Sequence, residues 1–185
     1  MQIASDFVLL FVQNIIFQNL LGLPSAANTI QKGKGLLRLG ILTVLFCTIG
    51  SGTLAVIRPL IPNRYEKLLF PLGIALICGI LDLLLVLMCR FSKRLNRIIM
   101  PVLHSAAFSS AVLGAVLLST DYTHDIAVAF RFGFRTGLGY FIACLMLKAA
   151  VPLLNSDAMP KSFRGWKGML LYAALLSMAA ACLFP

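Results

Sequence analysis

The sequence predicts an all-α polytopic membrane protein, with six transmembrane helices forming two inverted three-helix repeats in which helices 1 and 4 are broken. Three observations lead there. The 185 residues are 60% hydrophobic and only 12% charged, with a mean hydropathy of +0.95; a soluble domain is nearer half apolar and a quarter charged. The apolar residues fall into runs of about 20, the length needed to cross roughly 30 Å of hydrocarbon at 1.5 Å per residue. Polar, breaker-containing stretches then occur at matching places in the two halves, the pattern of a repeat whose working site lies between its copies. The whole chain reads as one membrane domain, with repeat 1 over about 1–92 and repeat 2 over about 93–185. The formal charge of +10 would suggest nucleic acid in a soluble protein. Here it marks basic loops at a membrane surface, and no nucleic-acid partner is expected.

The first span runs about Asp6 to Leu23. It has neither a basic leader nor a small-residue cleavage site, so it reads as a retained helix rather than a signal peptide. Gln13, Asn14, Gln18 and Asn19 lie within it. Amides are costly in hydrocarbon and should face other helices or a cavity. Pro24 and Ser25 are expected to end this helix, with a loop over Asn28–Gly35. The second span covers Leu36–Ile57, and a loop punctuated by Pro59 and Pro62 follows. The third covers Leu68–Cys89 and contains Asp82. A carboxylate at membrane depth must be paired, hydrated or protonated, so it is either a functional group or a structural partner for Arg131 or Arg135.

Arg90, Lys93, Arg94 and Arg97 make a basic loop before the fourth span, Ile98–Leu118. That span is interrupted: Pro101 sits near its start, and His104, Ser105, Ser109 and Ser110 form a polar patch at its centre. Phe17–Gly22 is a weaker copy of Phe108–Gly114. A short loop with Asp121 and Asp125 leads to the fifth span, Ile126–Leu147. There Arg131 and Arg135 share a face in reach of those carboxylates, and Gly133 and Gly137 form a small-xxx-small pattern for close helix contact. Lys148–Lys167 reads as the longest loop, and the last span covers Gly168–Phe184.

Loops 1–2, 3–4 and 5–6 carry most of the Lys and Arg, which puts them in the cytoplasm and both termini outside. Five cysteines (Cys47, Cys78, Cys89, Cys144, Cys182) stand singly in apolar runs, as small packing residues rather than disulfide or metal partners. The sequence has no Gly-rich phosphate loop, nucleophile elbow or His pair for a metal. No catalytic residue and no metal ligand is assigned.

Several segments together carry a family resemblance over essentially the whole chain. They are Leu9–Val12, Asn19 and Leu21-Gly-Leu23 near the start, Asp82 ahead of the basic loop, and Pro101 in the interrupted span. Ala111-Val-Leu-Gly114, Phe132-Gly-Phe134 and Pro160–Gly165 complete the series. In order and spacing the sequence resembles the six-span integral-membrane subunits of the Rnf and Nqr ion-translocating electron-transport complexes. The resemblance implies two inverted repeats, pairing with a homologous membrane subunit, and flavin- and iron–sulfur-bearing subunits on either side of a bacterial inner membrane. It also implies a 2Fe–2S cluster at mid-membrane, held by a cysteine from each broken helix. The chain departs from the pattern at that point. The cysteine positions fall at Leu23 or Pro24 and at Ser110, or Ala107 in a gapless alignment. No thiolate is present, so cluster ligation is not carried over.

The expectation is therefore a non-redox or indirectly redox membrane subunit of a Na⁺- or H⁺-translocating complex. Asn19, His104, Ser109 and Ser110 would line the repeat interface, and Asp82 would be the ion-responsive group. Two further readings fit the same residues: a small secondary transporter of the inverted-repeat type, with Arg131 and Arg135 drawing in an anion, and an assembly scaffold without a redox role.

Overall fold

The computed structural model describes residues 21–31, 35–58, 66–91, 93–122, 125–156, 160 and 163–183. These residues form seven α-helices and no strand. The helices are α1 (Leu23–Gln31), α2 (Leu36–Ile57), α3 (Glu66–Phe91), α4 (Lys93–Ala107), α5 (Ser110–Tyr122), α6 (Ile126–Leu154) and α7 (Trp166–Leu183). In α2, α3 and α6 the stretches Leu36–Ile57, Pro71–Arg90 and Ile126–Leu154 are long and apolar enough to cross a membrane. The pair Ile99–Ala107 and Ser110–Ser119, bent by 46°, is a fourth candidate span. The predicted second, third and fifth spans thus fall on α2, α3 and α6, and the interrupted fourth on α4 plus α5. Most of the predicted first span, with Asn19, lies outside the described residues.

The antiparallel pair α2–α6 is the spine of the bundle. Small residues permit it. Gly133 lies against the Cys47 carbonyl, and a Cβ built on Gly137 would come 2.7 Å from the Val44 Cα. No side chain fits between these backbones, so the predicted small-xxx-small contact is real and its partner is α2. Hydroxyls buried along α2 are satisfied within the helix: Thr43 donates to the Leu39 carbonyl at 2.8 Å and Ser51 to the Cys47 carbonyl at 2.6 Å. These hydroxyls therefore need no water inside the bundle.

Around this pair the core closes with Phe46, Leu54, Leu103, Val112, Val116, Tyr140, Leu147 and Met169, all nearly inaccessible. Four buried alanines, Ala106, Ala107, Ala111 and Ala115, let α4 and α5 approach closely on either side of the bend. By contrast α3 is peripheral. Leu72, Leu76, Ile80, Leu83, Leu87 and Met88 are all more than half exposed, the outward face expected of a helix whose surroundings are lipid tails.

Several predicted loops are helical. Pro24 and Ser25 do not end a helix; they open α1. Proline suits that place because the first turn of a helix has no use for its missing N–H. Lys93–Arg97 opens α4, and α6 runs on through Lys148 to Leu154; Pro101, expected near the start of the interrupted span, lies inside α4. Basic side chains mark a membrane surface, but they are good helix formers and do not stop a helix there.

Candidate functional site

The bend in the fourth span falls at Phe108–Ser109, in the centre of the polar patch. The first N–H groups of a helix have no partner within it, and at membrane depth water does not supply one. Ser109, 4% exposed, meets this need as the N-cap of α5: its Oγ accepts from the Val112 N–H at 3.3 Å and its carbonyl from the same N–H at 3.0 Å. Ser110, the next residue, reaches away from its own helix. Its Oγ accepts from the Gly22 N–H at 2.8 Å, across 88 residues of chain.

Gly22 is the turn that precedes α1, with φ +78°. It sits where the first broken helix was expected, so the bend at Phe108–Ser109 is tied to a turn in that region. Its carbonyl is also occupied, accepting from Ser25 Oγ at 2.8 Å, Tyr140 Oη at 3.2 Å and the Ala26 N–H at 3.1 Å. Tyr140 comes from α6, and its hydroxyl is 3.2 Å from Ser25 Oγ. Side-chain hydroxyls thus tie the bend and this turn to the spine helix.

Tyr140 and Ser25 were not singled out in the sequence as site residues. A tyrosine in the middle of a long hydrophobic helix is the signal that was available, because a buried phenol needs a polar partner. Gly22→Ala is expected to be costly here: the left-handed φ disfavours any Cβ by about 1–2 kcal/mol, and that Cβ would press on Tyr140 and Ala111. Thermal unfolding in detergent should show a clear drop in midpoint for Gly22→Ala and a smaller one for Tyr140→Phe, which removes a bond worth about 1 kcal/mol.

Beside the junction lies a cavity of about 490 Å³. Pro24, Ser25, Asn28 and Thr29 of α1 line one side; Pro101, Val102, Ser105, Phe108, Ser109 and Ser110 line the other. Asn28, Ser105 and Ser110 are exposed there, which makes this a polar surface beside the bend.

Asp82 and His104 form a second constellation, between α3 and α4. His104 Nδ1 is 2.7 Å from Asp82 Oδ2, within the range of a charge-assisted hydrogen bond. The Asp82 side chain is 10% exposed and the imidazole 60%, so the pair joins a buried carboxylate to an outward ring. Asp82 Oδ1 is buried with no hydrogen-bond partner among the described residues. The carboxylate is about 16 Å along the helix from Pro71, near the middle of the apolar stretch Pro71–Arg90. Its partner is His104, not the Arg131 or Arg135 expected from charge alone. Asp125 is likewise engaged locally, its Oδ1 accepting from the Ala127 N–H at the start of α6 at 3.4 Å. The structure therefore brings Ser109 and Ser110 together with Gly22 at the junction, and Asp82 together with His104 at a separate place. Asn19 lies outside the described residues.

Fold and site define an α-helical integral-membrane protein built around a bent span, whose break is bridged by hydroxyls to a second turn far away in sequence. The family described as "Rnf-Nqr subunit, membrane protein" matches residues 4–184, and the chain belongs to that family. Among curated relatives is an ion-translocating oxidoreductase complex subunit from Histophilus somni (strain 2336), 25% identical over 184 residues, with 94% of each chain covered. Its namesake from Cereibacter sphaeroides (strain ATCC 17029 / ATH 2.4.9) is 27% identical over 178 residues, covering 94% of this chain and 92% of the relative. The Shewanella oneidensis counterpart is 24% identical over 187 residues, with 95% of each covered.

The residues at the junction do not fit the family's iron–sulfur cluster. Leu23, Pro24, Ala107 and Ser110 offer no thiolate, and the sequence has no cysteine before Cys47. Ser110 Oγ and the Gly22 N–H are instead spent on each other. Cys47, Cys78 and Cys144 are buried in α2, α3 and α6; none stands at those four positions, and Cys144 lies against the Tyr140 hydroxyl.

Proposed function

We propose that this chain is a membrane subunit of an ion-translocating electron-transport complex in a bacterial inner membrane, where it serves as framework and ion-responsive element rather than as a carrier of its own cluster. The observation that carries this is the Gly22–Ser110 junction. In a chain of this family, the two places where a cluster would be held are joined to each other through hydrogen-bonding groups. Electron transfer then belongs to partner subunits, and no redox step is assigned to this chain.

In this reading the apolar stretch before Leu23 and helix α7 complete six spans, and the chain divides into inverted repeats at about residue 92. The turns ahead of α1 and α5 are the equivalent breaks of the two halves. The basic loops face the cytoplasm and both termini lie outside. A homologous subunit covers the polar surface of Asn28, Ser105 and Ser110, since such groups are costly against lipid and well served by another protein. Asp82 is the ion-responsive group, with Oδ1 open to a proton or cation and His104 holding Oδ2.

The test is anaerobic purification of the native complex, with iron and acid-labile sulfide measured beside the copurifying subunits. Iron and sulfide in proportion to the complex, unchanged by Ser110→Ala, are the expected result. Recovery of the chain without iron, sulfide or redox partners would remove the proposal in favour of transport or scaffolding.

A further inference from the structure

The α2–α6 pair carries a groove on its outward side that none of the foregoing uses. Ile41, Leu45 and Ile49 of α2 and Phe134, Leu138 and Phe141 of α6 line about 430 Å³ of almost wholly apolar space. The one hydroxyl in its wall, that of Thr48, donates to the Val44 carbonyl at 2.7 Å. The groove therefore asks for hydrocarbon rather than for a hydrogen-bonding ligand.

Where the groove leads narrows the choice of occupant. Because the helices are antiparallel, with Gly40 against Phe141 and Gly133 against Cys47, α2 begins at the end of the bundle where α6 finishes. Arg38 lies three residues before Ile41 and seven before Leu45. Lys148 lies seven residues after Phe141. Spacings of three, four and seven keep residues on one face of a helix, so each groove stripe continues into a cation. Arg38 and Lys148 are both exposed. The apolar slot thus leads at one end to two exposed positive charges.

We propose that this groove is a binding site for an anionic phospholipid, with one acyl chain in the slot and the phosphate held by Arg38 and Lys148. Basic pockets between transmembrane helices recognise anionic headgroups in this way. An apolar helix from another protein would match the slot alone, whereas an anionic lipid matches the slot and the positive charge above it. Arg131 lies on the same α6 stripe, three residues before Phe134, at the opposite end. The test must therefore separate the two ends.

The protein in its native assembly is placed in nanodiscs of equal phosphatidylglycerol and phosphatidylcholine, and the lipid retained after release is read by native mass spectrometry. One phosphatidylglycerol per copy of this chain should be kept in preference to phosphatidylcholine. Each cation contributes about a fivefold preference. Lys148→Gln should lower retention about fivefold, the Arg38→Gln, Lys148→Gln double variant about 25-fold, and Lys148→Arg hardly at all. Leu138→Trp should expel the lipid by filling the slot. Equal retention of the two lipids would overturn the proposal, as would loss on Arg131→Gln but not on Lys148→Gln. A photo-crosslinking residue at position 138 that captures a protein instead of a lipid would also overturn it.

Discussion

Asp82→Asn is expected to reduce ion movement by the assembled complex more than tenfold while leaving its subunit composition unchanged. The amide matches the carboxylate in shape, and its oxygen can still accept from the His104 imidazole that now lies 2.7 Å away. What it loses is the capacity to take and release a proton or to bind a cation at Oδ1, the buried oxygen without a partner among the described residues. An ionisable group at this depth is costly to keep, which is why such groups face cavities or partners and mark ion routes. Ion flux into proteoliposomes holding the complex, with copurification measured on the same preparation, checks the expectation. Normal flux would mean that Asp82 is not the coupling group. Lost assembly would make it structural. His104→Gln should have a smaller effect, because it leaves the carboxylate in place while weakening the group that holds it.

Gly137→Val should prevent the bundle from forming. A Cβ at this position would stand 2.7 Å from the Val44 Cα, which is backbone and cannot turn aside, so α2 and α6 must move apart along their length. Overpacking by side chains alone typically costs about 1–3 kcal/mol, and separation of two backbones should exceed the top of that range. Size-exclusion profile and thermal midpoint in detergent would show it as aggregation or loss of the transition. Gly79→Ala is the comparison. On peripheral α3 a Cβ meets nothing within 4 Å, and replacing a mid-helix glycine with alanine should be neutral or gain up to about 1 kcal/mol. A Gly137→Val protein as stable as the parent would mean that the spine is not where the bundle is held.

The sequence made the spans legible because hydrocarbon imposes a length and a polarity that few residues can disguise. It placed α2, α3, α6 and the interrupted fourth span close to where they lie, and put the polar patch of Ser109 and Ser110 at the break itself. Helix ends were harder to read. Lys93–Arg97 and Lys148–Leu154 were expected to be loops because they are charged or follow a charge, yet charge locates a surface without ending a helix. Of the site, the individual polar residues could be found but not their partners. That Ser110 meets Gly22, that Tyr140 closes the junction, and that Asp82 chooses His104 over two arginines all depend on contacts between residues far apart in sequence. Family pattern showed where cysteines were missing; only the fold shows the hydroxyl–amide contact that stands in their place.

The close packing of α2 on α6 bears on how the protein is made. About 70 residues separate the end of α2 from the start of α6, so at typical synthesis rates of roughly 5–20 residues per second α2 waits several seconds before its neighbour emerges. During that interval its glycine-containing face lies against lipid, open to any other helix with small residues. Biogenesis therefore has a vulnerable window, set by the order of helices along the chain, in which an insertase or an already assembled partner would do most to guide α2 to the right companion.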